Sequence, residues 1–216
     1  MKLGFVIPVF NEEKYLPELI DSILNQVNFS VIENIVLVDG NSTDNSKKII
    51  QSYVKNNSKI VLVENPKRIT PISLNLGAKY CLDNGSDIVQ FIGGHSKLSK
   101  NFTQELCNAV EQFPDVSIFT SSLIFFEAKT KTEKLIQLHA HSILGRNFKK
   151  FIDVEKNLDG FTTGFFAVKK KVFSEIGFYN EKLIRNQDVD FALRAQNKGF
   201  IVMTFHKIKS YYKTPS

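Results

Sequence analysis

Short apolar runs alternate with segments of helical periodicity along most of this chain. The first run, residues 3–10 (LGFVIPVF), is continuously apolar, and apolar side chains recur at helical spacing over residues 15–27. Continuous apolar runs are typical of parallel strands that are covered on both faces. Four such strand-and-helix pairs follow one another to about residue 113. They predict a right-handed, doubly wound α/β sheet with helices on both faces.

The second half of the chain is less regular. Residues 117–128 predict a strand whose polar positions face a cleft, and residues 131–145 predict an amphipathic helix. A Gly/Thr-rich loop, a strand and a short helix are expected over residues 158–177. A further helix ends at Gly199, and a final strand covers residues 201–213. Since no repeat or linker interrupts the pattern, we predict one domain.

Composition excludes several classes of protein. Hydrophobic residues make up 43% and charged residues 23%, which is typical of a globular chain and excludes a disordered or fibrous one. The longest apolar runs are far shorter than the ~20 residues that span a bilayer. The N-terminus resembles a signal peptide, but its apolar stretch breaks at Pro8 and reaches Asn11 and Glu12 without a cleavage site. We therefore interpret it as the first strand, with Asn11 as N-cap of the first helix.

Cysteine spacing and net charge indicate the cellular compartment and the possible classes of binding partner. Cys81 and Cys107 lack the spacing of a zinc site or disulfide framework, which predicts reduced core thiols in the cytoplasm. Lys and Arg number 28 against 22 Asp and Glu, so the net charge is +6. That charge is compatible with nucleic acid, an anionic membrane surface or a phosphate-bearing ligand. No RNA-recognition or zinc-finger pattern organises the basic residues, so we predict no nucleic-acid partner.

Polar residues follow the predicted strands, at the sheet edge where ligands bind in such folds. No Gly-rich dinucleotide or P-loop motif occurs there. Instead, Asp39 closes the second strand and Asp44 lies at the opening of the next helix. A carboxylate in this place can accept hydrogen bonds from ribose hydroxyls or a base N–H. It can equally cap the following helix, and the residues alone leave both interpretations open.

Four motifs in order resemble glycosyltransferase family 2, the inverting A-type glycosyltransferases. They are residues 6–23 (VIPVFNEEKYLPELIDSI), 35–46 (IVLVDGNSTDNS), 73–80 (SLNLGAKY) and 187–200 (QDVDFALRAQNKGF). Residues 92–98 (IGGHSKL) and 184–188 (IRNQD) further resemble succinoglycan-type exopolysaccharide glycosyltransferases. The resemblance covers about residues 3–205, which is nearly the whole chain.

This resemblance implies an A-type glycosyltransferase fold with a mixed, mostly parallel sheet in a single domain over residues 1–216. About residues 1–100 would form a Rossmann-like half that binds the nucleotide sugar, and about residues 101–216 an acceptor-binding and catalytic half. The implied activity is inverting transfer of a hexosyl-type sugar from a nucleotide diphosphate sugar to a hydroxyl of a glycan or lipid-linked acceptor. Cell-surface or exopolysaccharide synthesis is the implied process.

The resemblance also assigns roles to individual residues. It implies that the nucleotide is bound by Pro8, Phe10, Asn11, Glu12, Asp39, Arg68, Asn75 and Gly93. His95 stands where the last metal ligand stands in the family, and Asp188 where the catalytic base stands. Acceptor or leaving-group contacts are expected from Thr163, Gly164, Arg185 and Gln187.

Gly93 departs from the family pattern, which has an Asp two residues before the metal ligand. A Mg²⁺ or Mn²⁺ ion that bridges two phosphates prefers oxygen ligands and accepts an imidazole. With glycine at this position, we expect the metal to be weakly bound or dispensable, with Arg68 or Lys97 neutralising the diphosphate instead. An ordinary loop histidine remains the alternative for His95.

An inverting transfer requires one carboxylate to deprotonate the acceptor hydroxyl. Asp188, at a predicted helix start, suits this role and also suits helix capping.

A binding module that keeps a nucleotide pocket but has lost its metal site is the alternative to an active enzyme. We expect a short form, or part of a longer enzyme, that works in the cytoplasm at the inner face of the cell membrane. The dispersed lysines would favour an anionic lipid surface there.

Overall fold

Strands and helices alternate through the structure, as the apolar pattern predicts. The computed structural model describes residues 1–126, 130–132, 134–135, 156–157 and 165–213. Within these residues the strands are β1 (Leu3–Val9), β2 (Ile32–Asp39), β3 (Ile60–Glu64), β4 (Ile88–Phe91), β5 (Ser96–Leu98), β6 (Val116–Phe125), β7 (Lys156–Asn157), β8 (Phe166–Lys169) and β9 (Ile201–Tyr212). The helices are α1 (Leu16–Leu24), α2 (Ser46–Asn56), α3 (Thr70–Asp83), α4 (Phe102–Gln112), α5 (Lys170–Ile176) and α6 (Gln187–Asn197), with a short 3-10 helix at Phe29–Val31.

The described strands form one mixed sheet in the order β3-β2-β1-β4-β8-β6-β9-β5, with β7 paired to β9. Strands β3, β2, β1 and β4 are parallel neighbours. Strand β8 runs antiparallel to both β4 and β6, and β9 returns parallel to β6. The parallel strands therefore end along a common edge, where their following loops can form a ligand site.

Both faces of the sheet are covered by helices. On β1, Phe5 and Ile7 pack into a core shared with α1, α2 and α4. Val6, between them, packs into the opposite core with α3, α5 and α6. Side chains of a strand alternate between the two faces, so a strand buried on both is apolar throughout. The predicted doubly wound, mixed α/β architecture is confirmed.

The loop after β1 differs from the sequence prediction. Asn11 is not the N-cap of the first helix, because α1 begins only at Leu16 with Tyr15 in the cap position. Asn11 instead has a left-handed backbone, with φ of +55°. Its side-chain oxygen accepts the backbone N–H of Thr43 over 2.8 Å. The amide therefore serves a contact between loops, which local periodicity does not reveal.

The prediction that the polar side chains of β6 face a cleft is wrong. Thr120 and Ser121 are both buried. The Thr120 hydroxyl donates to the Met203 carbonyl oxygen, and the Ser121 hydroxyl donates to that of Phe165. Because β6 is an interior strand of the sheet, these hydroxyls are satisfied by β9 and by the residue that precedes β8.

Strand β5 was not predicted, because it has only three residues and pairs with the distant end of β9. The predicted strand and helix after residue 165 are confirmed as β8 and α5. Gly199, with φ of +88°, ends α6 by donating its N–H to the Gln196 carbonyl oxygen over 2.8 Å. Most of the helix predicted over residues 131–145 and the Gly/Thr-rich loop at 158–164 lie outside the described residues.

The described part of the chain contains no helix with both the length and the apolar character needed to cross a bilayer. Cys81 and Cys107 are free and buried, as predicted for core thiols. Burial raises the pKa of the Cys81 thiol to about 12. The division into a nucleotide-binding and an acceptor-binding half stays a prediction.

Candidate active site

A cleft of about 370 Å³ opens at the carboxyl ends of the parallel strands. Several predicted site residues from separate parts of the chain meet in its wall: Pro8, Phe10, Glu12, Arg68, Gly93, His95 and Gln187. Gly40 after β2 also lines it, and Phe165 and Tyr212 close it from the second half of the chain. The fold thus brings seven of the predicted residues into one cavity.

The loop after β1 is fastened to the loop after β2. The backbone N–H of Glu12 donates to the Ser46 hydroxyl over 2.8 Å, and that of Glu13 donates to Asp44 over 3.0 Å. Asp44 also accepts the N–H of Ser46, the first residue of α2. Burial alone would raise the pKa of Asp44, but these hydrogen bonds outweigh it and hold the pKa below its usual value. Asp44 thus accepts the first N–H of α2 from outside the helix, whereas the N-cap position is Asn45, whose side chain makes no capping hydrogen bond.

Asp39 lies at the edge of the cleft rather than in its wall. It is buried at the end of β2, and its carboxylate accepts the N–H of Ser42 over 3.2 Å. It does not cap α2, which begins only at Ser46. Next to it, the N–H of Gly40 donates to the Val9 carbonyl oxygen over 2.7 Å, which joins the ends of β1 and β2.

Phe10 and Arg68 form a pair on one side of the cleft. The Phe10 ring is 49% exposed, although it follows a buried strand. The Arg68 guanidinium carbon lies 5.4 Å from the ring centroid, within the range of a cation–π contact. Arg68 has a left-handed backbone with φ of +57°. An exposed aromatic face beside a guanidinium is suited to a planar ring that carries an anionic group.

His95 follows β4 and faces the cleft. Its Nδ1 atom lies 2.8 Å from Oε1 of Glu12, and its Nε2 atom is buried without a hydrogen-bond partner. The ring meets that of Tyr212 edge-on, with centroids 4.7 Å apart. Position 94 holds glycine, where a Cβ atom would come within 2.9 Å of Cγ of Glu12. The missing side chain at 94 leaves room for Glu12 to contact His95 directly.

In the described part of the chain, His95 is the predicted ligand for a metal ion in this cleft. Among the described residues, no group of three or more His, Cys, Asp or Glu converges on one point. The buried, unpaired Nε2 of His95 fits the first ligand of a divalent ion, because an unpaired polar atom in a protein interior is costly. Diphosphate oxygens and water are suitable as further ligands of such an ion.

Asn75 points away from the cleft. Its amide nitrogen donates to the Tyr179 carbonyl oxygen over 3.0 Å and to Glu181 over 2.9 Å. Its amide oxygen accepts the Tyr179 N–H over 2.9 Å. The side chain thus contacts the segment that precedes α6, and its contact with a nucleotide stays a prediction.

Helix α6 directs its first turn towards the cleft. Gln187, its first residue, lines the cavity, and Asn186 before it has a left-handed backbone and makes no side-chain cap. Asp188 is half-buried, and its Oδ1 accepts the N–H of Val189 over 3.0 Å. Burial, and then the charge of Asp188, raise the pKa of Tyr179, whose buried hydroxyl has no hydrogen-bond partner.

The remaining predicted residues are not part of the described cavity. Arg185 is exposed and does not line the cleft. Thr163 and Gly164 lie outside the described residues. Sequence reasoning missed Tyr212, because nothing local marks the end of a final strand as part of a site. It also missed Gly94, although the Gly-Gly pair before His95 was a visible signal.

The comparison with protein families decides the assignment. The model described as "Glycosyl transferase family 2" matches residues 5–177. The chain belongs to glycosyltransferase family 2. Its relatives in this family include the succinoglycan biosynthesis protein ExoA of Rhizobium meliloti, 22% identical over 96% of this chain and 62% of that protein. Another is the GalNAc(5)-diNAcBac-PP-undecaprenol beta-1,3-glucosyltransferase of Campylobacter jejuni, 25% identical over 100% of this chain and 66% of that protein.

Solved structures share the fold. S. aureus TarS 1-349 in complex with UDP-GlcNAc has a TM-score of 0.77 at 14% identity, over 100% of this chain and 59% of that chain. GalNAc-T7 with UDP, GalNAc and Mn2+ has a TM-score of 0.79 at 15% identity, over 99% of this chain and 44% of that chain. The predicted A-type fold of family 2 is therefore confirmed. The chain spans about three fifths of the length of ExoA.

Proposed function

We propose that this family 2 chain transfers a sugar from a nucleoside diphosphate sugar to an acceptor hydroxyl, with inversion at the anomeric carbon. The observation that carries this proposal is the cleft itself. It combines the Phe10–Arg68 pair, a histidine with an unpaired nitrogen and the N-terminus of α6. A nucleoside diphosphate donor is supported by the solved structures of TarS in complex with UDP-GlcNAc and of GalNAc-T7 with UDP, GalNAc and Mn2+.

The donor would lie across the carboxyl ends of β1, β2 and β4. Its base would stack on the exposed Phe10 ring, where Arg68 can contact the base or the phosphates. Asp39, Pro8 and Asn11 would bound the ribose end, and Gly93 allows the diphosphate to approach the backbone after β4. A divalent ion bound at His95, if present, would neutralise charge on the departing diphosphate.

Asp188 would act as the general base. Its carboxylate would take the proton of the acceptor hydroxyl while that oxygen attacks the anomeric carbon from the face opposite the diphosphate. The glycosidic bond to phosphate breaks, the nucleoside diphosphate leaves with the electron pair, and a single displacement inverts the configuration. Gln187 beside the base, with Arg185, Thr163 and Gly164, would contact the acceptor or the leaving group.

The acceptor is proposed to be a growing glycan or a lipid-linked sugar. The names of two relatives, one in succinoglycan biosynthesis and one acting on a PP-undecaprenol-linked glycan, support this class. A lipid-linked acceptor would place the reaction at the inner face of the cell membrane.

A catalytically inactive nucleotide-sugar-binding module is the second candidate. It is favoured by Gly93, which supplies no ligand, and by the finding that no group of three or more potential metal ligands converges among the described residues. Both candidates can be tested with calorimetric titrations of UDP, GDP and dTDP, each with Mn²⁺, with Mg²⁺ and with EDTA. An enzyme is expected to bind one nucleotide and to release it from the matching nucleotide sugar when an acceptor is added.

Binding without turnover over a panel of acceptors and donors would favour the inactive module. Absence of binding by any nucleotide would contradict both candidates. Equal binding in EDTA would show that basic side chains, rather than a metal, hold the diphosphate.

A further inference from the structure

We propose that Glu12 is a positioning residue for His95. Its carboxylate holds the imidazole in the tautomer that carries the proton on Nδ1, which leaves the buried Nε2 unprotonated and able to bind a metal ion. The proposal rests on the proposed function for the identity of the ion, a divalent cation bound with the donor diphosphate. It assigns to Glu12 a role through His95 in place of the nucleotide contact expected from sequence.

The tautomer follows from the chemistry of the two partners. Glu12 Oε1 and His95 Nδ1 are 2.8 Å apart, and their side chains are only 15% and 24% exposed. An ionised carboxylate accepts hydrogen bonds and donates none, so Nδ1 must carry the hydrogen between them. In a neutral imidazole the other nitrogen then has a free lone pair. That nitrogen, Nε2, is the buried atom without a partner.

The position of Glu12 is set by two contacts outside the histidine. Its backbone N–H donates to the hydroxyl of Ser46, which is fully buried at the start of α2. Its side chain passes over Gly94, where a Cβ atom would lie 2.9 Å from Cγ and 3.2 Å from Cδ of Glu12. A side chain at 94 would therefore require the Glu12 side chain to shift from its place beside His95.

The end of β9 also contacts the His95 imidazole. The Tyr212 ring meets it edge-on, and the N–H of Lys213 donates to the His95 carbonyl oxygen over 3.1 Å. The ring is thus fixed by Glu12 from the first half of the chain and by the end of β9 from the second. A carboxylate that orients a histidine typically changes metal affinity by about 10- to 100-fold when removed.

Nitrogen-15 NMR of the histidine side chains tests the tautomer without any ligand. At an alkaline pH, where free imidazole is neutral, His95 is expected to carry its proton on Nδ1. Its signals are identified by their loss in His95→Gln. Glu12→Ala is expected to release this tautomer, whereas Glu13→Ala, which removes the same charge one residue away, is expected to keep it. A proton on Nε2 in the wild type, or an unchanged tautomer in Glu12→Ala, would overturn the proposal.

Mn²⁺ titration in the presence of saturating UDP tests the consequence for the metal. Glu12→Ala is expected to weaken Mn²⁺ binding about 10- to 100-fold, and Glu13→Ala to leave it within about 3-fold. Gly94→Ala, which keeps every ligand and charge, is expected to weaken it as well. Wild-type affinity in Glu12→Ala would contradict the proposal. Failure of the wild type to bind any of UDP, GDP and dTDP would contradict the proposed function instead, and the NMR result would still decide the tautomer of His95. Nucleotide binding without any Mn²⁺ binding would contradict the metal-ligand role of His95.

Discussion

The side-chain amide of Asn75 holds both backbone polar groups of Tyr179, accepting from its N–H over 2.9 Å and donating to its carbonyl oxygen over 3.0 Å. Asn75 lies on α3 in the first half of the chain, and Tyr179 lies in the segment that leads into α6. The amide therefore connects α3 to the segment before the helix that carries Gln187 and Asp188. Asn75 positions this segment through backbone contacts that do not depend on the side chain at 179, except that proline would lack the N–H.

Asn75→Ala is expected to lower the free energy of unfolding by about 2–4 kcal/mol, because it leaves buried backbone groups of Tyr179 unpaired. Urea unfolding measures this loss. Asn84→Ala, at the exposed end of the same helix, removes one hydrogen bond to the Tyr80 carbonyl oxygen and should cost less than about 1 kcal/mol. Equal losses in the two variants would contradict a special role for Asn75.

Asp188→Asn is expected to lower turnover by about 10²- to 10⁴-fold while leaving UDP affinity nearly unchanged, because an amide cannot take a proton from the acceptor. Steady-state release of nucleotide and calorimetric binding measure the two effects. Asp190→Asn is the matched control on the same helix, since an asparagine there still accepts from Arg194. A similar loss in both variants would show that charge near α6, rather than proton transfer, is responsible.

Phe10→Ala is expected to weaken nucleotide binding by about 1–3 kcal/mol, the usual contribution of one base stacked on an aromatic ring. Binding of UDP by titration calorimetry gives the difference. Val27→Ala is a suitable control, because Val27 is another exposed apolar residue outside the cleft wall. Unchanged affinity in Phe10→Ala would place the base elsewhere in the cleft.

Glu18 makes the stability depend on pH near the end of β9. The Lys213 ammonium lowers the pKa of this carboxyl below its usual 4.5, burial opposes this, and Lys97 lowers it further. A lowered pKa means stability that is present above pH 4.5 and lost as the pH falls through the folded-state pKa. Glu18→Gln is therefore expected to destabilise the protein at neutral pH and to flatten its acid dependence.

Urea midpoints at neutral and acidic pH measure the Glu18 effect. Glu175→Gln, at an exposed position of α5, removes the same charge and should leave the acid dependence close to that of the wild type. If Glu18→Gln keeps the wild-type pH dependence of the urea midpoint, the contact between Glu18 and Lys213 does not contribute to stability in solution.

The strand-and-helix pairs and the family motifs were predictable because they depend on neighbours along the chain. The run around Phe5, Val6 and Ile7 indicates a strand buried on both faces, and the structure confirms it. The cleft was predictable in outline, since parallel strands end at one edge. Asn11 shows the limit of such reasoning, because its role depends on Thr43 in a different loop.

The amino-acid sequence by itself determined the alternation of elements, the membership in family 2 and which strand ends carry polar residues. Only the tertiary structure decided the partners of those residues. Glu12 meets His95 across 83 positions and Asn75 meets Tyr179 across 104, because the sheet order brings their strands and helices together. Periodicity encodes which face of an element is buried, whereas long-range pairs depend on how the elements are arranged in space.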